Sequence, residues 1–438
     1  MCTDNVLTGT SVDGMTTSIP LDRRLAVDGG RPYRPPETPW PRWPVPAPNA
    51  ERNLSAVLHG GRWAISSPAY GDTALFERRF AADFARYVGT RHCVPVDHGS
   101  SALVVALESL GLGFGDAVLV PALTWTASAT AALRAGLVPV LVDVDLDTGC
   151  VGPEDLDLSV EPRAVVAVHW ASNMADIPAL DAVTAPHGIS VVEDCAQAHG
   201  ATWQGRQAGS FGRLGCFSFQ HGKVLSCGEG GAVVTDDDTL APVLQELRAD
   251  SRRYRSRATP PGELDLEESA GVQGANFCMS EFSAAVACAQ LAALDEQHDV
   301  RNRNYALLTE LVADLDEVRL LQPAPAQTRT SIYEGTIIFD ELPAAMDNGA
   351  VATALTAELG RRFYVTDEPL HRSRLLQPWT KPLLAPLAER FTAIHRDRSY
   401  PKTEWLAAHT VQTHHSTFLG GERDMHDIAG AISKICAR

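Results

Sequence analysis

No C-x-x-C pair occurs among the nine cysteines of this 438-residue chain, which are Cys2, Cys93, Cys150, Cys195, Cys216, Cys227, Cys278, Cys288 and Cys436. Odd in number and scattered, they read as reduced cytosolic thiols, and they lack the paired spacing of a structural zinc site, so no metal is expected. No apolar run approaches the ~20 residues of a membrane span. Residues 1–22 are polar and carry no apolar signal core, so the expected location is the cytoplasm. Positive charge is also scarce: 37 Lys and Arg stand against 54 Asp and Glu, a net charge of −17. That balance argues against nucleic acid or an anionic membrane as the partner, while leaving room for a local basic pocket around a phosphate. Repeats and low-complexity tracts are absent. No G-x-G-x-x-G follows the first expected strand, which disfavours a nicotinamide cofactor, and there is no Walker-type G-K-[ST].

What remains is an ordinary globular composition, 45% hydrophobic and 21% charged, in a chain long enough for one large and one small domain. Residues 1–25, rich in Thr, Ser, Asp and Gly, read as a disordered tail. Residues 26–75 read as an arm, because six prolines between 35 and 46 surround Trp40 and Trp43 and forbid helix interiors and sheet centres. The two tryptophans call for burial, on the chain's own core or on a neighbouring subunit. Residues 76–300 form the expected large domain. There, short apolar strands (93–96, 117–120, 138–144, 164–169, 190–193, 214–219, 232–235) alternate with helical stretches such as 101–112 and 177–185, which means a mostly parallel sheet covered on both faces. The charged segment 251–268 reads as a long loop and 280–315 as one long helical stretch. Residues 301–438 are expected to form a smaller domain with a strand at 336–340 and helices at 350–359 and 425–437.

Three segments carry chemistry. His98-Gly99-Ser100-Ser101 stands where a strand ends and a helix begins, and the free N–H groups of a helix start favour a phosphate, although a simple serine cap would look the same. Val191-Val192-Glu193-Asp194 delivers two acids to the carboxyl end of a strand, where open α/β sheets bind ligands. An acid there can serve a metal, a ribose or a cationic ring nitrogen. Phe217-Ser218-Phe219-Gln220-His221-Gly222-Lys223, followed by a Gly-rich turn, places a single lysine in a loop with no other lysine or arginine, and a partly desolvated lysine is a nucleophile towards aldehydes. A phosphate turn, an acid at a strand end and a lysine in one parallel-sheet pattern are the set that pyridoxal phosphate requires, the lysine forming its Schiff base.

With those residues in place, the chain resembles the DegT/DnrJ/EryC1/StrS family of sugar and cyclitol aminotransferases, from about residue 25 to the C-terminus. The resemblance is carried above all by VVEDCAQAHGA (191–201), FSFQHGKVLSCGEGGAVVTDD (217–237) and QGANFCMSEFSAAVACAQLAALDEQ (273–297). It implies the fold-type I, aspartate-aminotransferase-like architecture: an α/β large domain with a mostly parallel seven-stranded sheet and a smaller α+β C-terminal domain. It also implies roles. Lys223 corresponds to the lysine that holds pyridoxal 5′-phosphate and moves protons, and Asp194 to the acid paired with the ring nitrogen. Gln197 corresponds to the partner of the cofactor's 3-hydroxyl. Ser218, with Ser100 and Ser101, corresponds to the phosphate cradle, and Trp125 to the aromatic stacked on the ring. Asn276 corresponds to an asparagine that reaches a neighbouring subunit's phosphate, hence a homodimer with shared active sites.

Cys278 stands where members acting on nucleotide sugars have arginine, and GGRWAISSPAYG (60–71) and EPLHRSRLLQPWTK (368–381) are similar to the cyclitol branch. The implied reaction moves an amino group from L-glutamine to a ketocyclitol such as 2-deoxy-scyllo-inosose, as in aminoglycoside antibiotic biosynthesis, with pyridoxamine 5′-phosphate between the two halves. The alternatives are a nucleotide-linked keto-sugar aminotransferase, a 3-amino-5-hydroxybenzoate synthase-like enzyme and, more remotely, a non-catalytic regulator. A dehydratase of the family would have histidine in place of Lys223. The arginines at 252, 253, 255 and 257 are read either as a solvated run or as a cationic lip for the glutamine carboxylate.

Overall fold

The computed structural model describes residues 24–68 and 75–437, so the expected tail lies outside the described residues up to residue 23. Its last position is corrected: Leu25 is 1% exposed and packs in the core of the C-terminal unit.

Seven strands make the main sheet: β1 (His92–Val96), β2 (Ala117–Pro121), β3 (Val138–Val142), β4 (Ala164–Val168), β5 (Ser190–Asp194), β6 (Leu214–Ser218) and β7 (Gly231–Thr235), in the order β1-β7-β6-β5-β4-β2-β3. The pairs among β2 to β6 are parallel, and β7 runs antiparallel between β6 and β1. Strands such as AVLVP and AVVAV are buried at every position, because helices cover both faces. The period of two shows in where side chains go. Val118, Val120, Val166 and Val168 enter the core on one face, and Leu119, Val165 and Ala167 enter the core on the other.

The arm contains a helix that proline content concealed, α1 (Ala50–Gly60). Trp40 and Trp43 both dock on this same chain. The Trp40 indole N–H donates to the Leu359 carbonyl at 2.8 Å, and the Trp43 N–H donates to the His221 carbonyl at 2.7 Å. Around the sheet lie α2 (Phe76–Val88), α3 (Gly99–Ser109), α4 (Ala127–Arg134), α5 (Ile177–Thr184) and α6 (Leu240–Arg248). The expected loop at 251–268 contains a hairpin pairing Arg252–Tyr254 with Leu266–Glu268. The expected single helical stretch is two helices, α7 (Glu281–Leu291) and α8 (Leu294–Val312).

A second sheet has β8 (Val318–Leu320), β9 (Glu334–Phe339), β10 (Phe363–Val365) and β11 (Thr410–His414), antiparallel in the order β8-β9-β11-β10. Its apolar face packs with α8, α9 (Asn348–Leu359) and α12 (Glu422–Cys436) through residues such as Ile337, Phe339, Leu355, Val411 and Ile432. Between β10 and β11 the chain returns to the large unit. Leu370, Leu376, Leu387, Phe391 and Tyr400, around α10 (Ala385–His395), pack in the main-sheet core before α11 (Pro401–His409), so the cut drawn at residue 300 is not a packing boundary for this stretch.

Candidate active site

The site grows from the carboxyl ends of β5 and β6, the start of α3, and one edge of the second sheet. After β1, His98 is extended and caps α3, whose first residue is Gly99. A Cβ at Gly99 would lie 2.4 Å from the Ser218 Cβ, so only glycine lets the helix start come this close to the end of β6. The first N–H groups of α3 have no acceptor within the helix, and the positive end of its dipole faces the same space. Ser100 and Ser218 line the cavity there; Ser101, 9% exposed, is buried in the helix and is not among the lining residues.

Glu193 and Asp194 are neighbours on β5 with opposite fates, as strand alternation requires. Asp194 lines the cavity. It accepts a hydrogen bond from the Ser128 hydroxyl at 2.8 Å and from the Ala196 N–H at 3.1 Å, which fix its orientation. Glu193, 0% exposed, accepts from His169 Nε2 at 3.0 Å and from the N–H groups of Gly209, Phe211 and Gly212. His169, Glu193 and Cys195 present ligand atoms within 4.8 Å of one another. Both Glu193 oxygens are nevertheless taken by donors, and His169 Nδ1 accepts from the Ala175 N–H, so the group works as a latch on the 209–212 turn.

The loop after β6 is closed by the Phe219 N–H donating to the Gly230 carbonyl and the Cys227 N–H to the Phe219 carbonyl. Lys223 sits on it, half-buried, with its Nζ 4.1 Å from the centre of the Tyr333 ring. Beneath, His199 Nε2 donates to the Ser218 carbonyl at 2.8 Å. Burial, and then the Lys223 charge, push that imidazole down to about 3, so it stays neutral. Gln197 accepts the Ala171 N–H on its Oε1 at 2.6 Å, leaving its amide N–H₂ as the free donor at the cavity.

The cavity has a volume of about 420 Å³ and brings together Ser100, Trp125, Asp194, Gln197, Ser218 and Lys223. Trp125 stands half exposed at its rim. Asn276 is exposed and is not a lining residue of this chain's own cavity; its Oδ1 accepts the Cys278 N–H at 3.2 Å. The arginine run is also elsewhere: Arg252, Arg253 and Arg255 pair with Asp250, Glu267 and Glu263, so they form no lip on this chain's cavity. Sequence reading missed Ser128, one turn beyond Trp125, and His199, which lies inside a quoted motif without a role. It also missed the opposite wall, where Glu334, Tyr364 and Gln412 line the cavity from the second sheet and Asp367 lines it from just after β10. No motif signals these four, because three separate chain segments deliver them. Among the described lining residues Lys223 is the one amine or guanidinium, against the carboxyl groups of Asp194, Glu229, Glu334 and Asp367.

These residues fit pyridoxal phosphate. A glycine-shaped helix start suits the phosphate, an oriented carboxylate suits a ring nitrogen, a carboxamide donor suits a ring hydroxyl, and one amine stands within the same cavity.

Comparison with known proteins identifies the family. Residues 55–415 match the DegT/DnrJ/EryC1/StrS aminotransferase family. The L-glutamine:2-deoxy-scyllo-inosose aminotransferase of Streptoalloteichus tenebrarius is 44% identical over 418 residues, covering 94% of this chain and 97% of that protein. The L-glutamine:scyllo-inosose aminotransferase of Streptomyces griseus is 40% identical, covering 95% and 98%. The crystal structure of 3-amino-5-hydroxybenzoic acid synthase superposes with a TM-score of 0.78 at 31% identity, covering 91% of this chain and 99% of that one. The chain belongs to the DegT/DnrJ/EryC1/StrS aminotransferase family, and its main sheet and second sheet are those of the fold-type I enzymes.

Proposed function

We propose that this aminotransferase moves the amino group of L-glutamine to a ketocyclitol, with 2-deoxy-scyllo-inosose the first candidate, using pyridoxal 5′-phosphate in a cytoplasmic homodimer with shared active sites. The observation that carries the reading is a cavity with one amine and a carboxyl-rich lining, which suits a neutral polyol and offers no cationic clamp for a nucleotide diphosphate. The names of the relatives support it.

When bound, the cofactor supplies an electron sink for the negative charge that develops at the donor's α-carbon. Asp194, held by Ser128 and Ala196, keeps a proton on the ring nitrogen. The start of α3 with Ser100 and Ser218 holds the phosphate, and Gln197 donates to the ring hydroxyl. Lys223 Nζ takes the proton from the donor's α-carbon. In the second half it gives a proton to the acceptor carbon that gains nitrogen. His199 stays neutral beside it and fixes the end of β6. The dimer accounts for two features of the single chain: Asn276 is exposed and does not line its own cavity, and among the described lining residues there is no guanidinium for the donor's α-carboxylate.

The test is kcat/KM with L-glutamine as donor for 2-deoxy-scyllo-inosose, scyllo-inosose and nucleotide-linked keto-sugars. The reading predicts that a ketocyclitol wins by at least about tenfold, a transition-state difference of about 1.4 kcal/mol. A nucleotide-linked sugar tenfold better than the best cyclitol overturns it.

A further inference from the structure

The wall of the cavity opposite Asp194 is built from one face of the second sheet. Along β9 the side chains alternate: Ile337 and Phe339 join the apolar core, while Glu334 and Thr336 lie on the other face. Cα register places Gln412 of β11 between Thr336 and Tyr364 of β10, so all three share the face of Glu334. This face is buried and yet polar, with Thr336 0%, Gln412 5% and Glu334 9% exposed. An all-apolar face would have been cheaper to bury, since each buried polar group must find a partner.

The partners within the chain cover only part of that need. The Tyr364 hydroxyl donates to Glu334 Oε2, and the Gln412 amide N–H₂ donates to Thr336 Oγ1 at 3.2 Å. Glu334 Oε1 has no hydrogen-bond partner among the described residues, and Glu334, Tyr364 and Gln412 all line the cavity that holds Lys223. Their chemistry is a carboxyl, a phenol and a carboxamide, each able to bond a hydroxyl, with no cation among them.

We propose that Glu334, Tyr364 and Gln412 form the subsite that reads the ring hydroxyls of the amino acceptor. The proposal rests on the ketocyclitol reading above and names the residues that carry its specificity. A hydroxyl aligned on the ring donates to Glu334 Oε1, a neighbouring one meets the Gln412 carboxamide, and Tyr364 holds the Glu334 carboxyl in place. An acceptor lacking the matching hydroxyl leaves Glu334 Oε1 unpaired in a largely buried site, which is the strong form of discrimination. A phosphate on the same wall would meet no cation to hold it, since Glu334, Tyr364, Gln412 and Asp367 offer none.

The experiment uses holoenzyme and the variants Glu334→Gln, Gln412→Leu and Tyr364→Phe, each checked by its melting curve. Two readouts are taken: calorimetric binding of scyllo-inositol, a neutral ring of six hydroxyls that cannot be aminated, and the single-turnover rate with L-glutamine alone, followed by absorbance. Expected are a loss of scyllo-inositol affinity of about 10–100-fold for Glu334→Gln and Gln412→Leu and less for Tyr364→Phe, with the glutamine half-reaction within about threefold of wild type. Equal binding of scyllo-inositol by wild type and all three variants overturns the proposal, and so does a glutamine half-reaction that falls in parallel with binding. The ketocyclitol reading itself is judged on turnover of the wild-type enzyme, so the two can fail separately.

Discussion

The two walls of the cavity are built differently. The wall on the main sheet, with Asp194, Gln197, Ser218 and Lys223, comes from strand ends and the turns that follow them, within residues 194–223. The wall on the second sheet joins residues 334, 364, 367 and 412, whose neighbours in sequence show no shared pattern. The first wall holds chemistry in place by local turns. The second reads a substrate through side chains that meet only when β9, β10 and β11 pair. A reaction common to many relatives can therefore sit on one wall while the substrate is exchanged on the other.

The sharpest way to break this comparison is Lys223→Ala. Removing the one amine of the cavity should lower kcat by about a thousandfold or more and abolish visible absorbance of the holoenzyme, while the melting temperature changes little. Near-normal turnover would place the chemistry elsewhere.

Next in size is the adjacent pair on β5. Asp194→Asn should keep bound cofactor and lose at least about a hundredfold in kcat, because the ring nitrogen loses its anionic partner. Glu193→Gln should do the reverse. Its carboxylate accepts four hydrogen bonds in a dry site, so the variant should lose about 3 kcal/mol of stability, read by urea denaturation, with kcat of the folded fraction nearly intact. If both variants lost activity without losing stability, the separation of the two faces would be wrong.

Smaller in effect is a mixing experiment. Inactive Lys223→Ala and Asn276→Asp subunits, allowed to exchange, should regain a fraction of wild-type activity, up to about a quarter, if Asn276 serves the cavity across the dimer. A dead mixture despite proven exchange removes the shared site.

The smallest effect sharpens the second wall. Burial, and next the charge of Asp367, push the Glu334 carboxyl up to about 8, while the Tyr364 hydrogen bond and the charges of Lys223 and Arg362 pull the other way. Because the folded-state value lies above the ordinary 4.5, the unfolded chain releases this proton first. The Glu334 contribution to stability is therefore full below about pH 4.5 and is lost as pH rises towards 8. Glu334→Gln cannot ionise, so relative to wild type it should gain stability at pH 8 compared with pH 5. Melting curves of both proteins at pH 5, 6.5 and 8 check the sign, and parallel profiles would remove Glu334 as an ionising group.

The fold was legible where one element suffices. All-apolar runs such as AVLVP and AVVAV mark strands buried on both faces, and their alternation with helices fixes a mostly parallel sheet. Proline count misled at α1, which starts two residues after Pro48, and the 251–268 hairpin was hidden because its strands are only three residues each. In the site, Asp194 and Lys223 could be singled out because a strand end and a turn place them by local geometry, while Ser218 followed from the family resemblance. Ser101 and Asn276 could not be located that way. A helix turn hides one inside, and the other faces out from the chain that carries it.

The sequence by itself determined the sheet and the family, since period-two burial, helix starts and turns are properties of a few consecutive residues. Only the tertiary structure decided which of two neighbouring acids meets the cavity, where the arginine run ends up, and that Glu334, Tyr364 and Gln412 share a wall. Those outcomes depend on strand register and on contacts between residues tens of positions apart, whose energies no local pattern records.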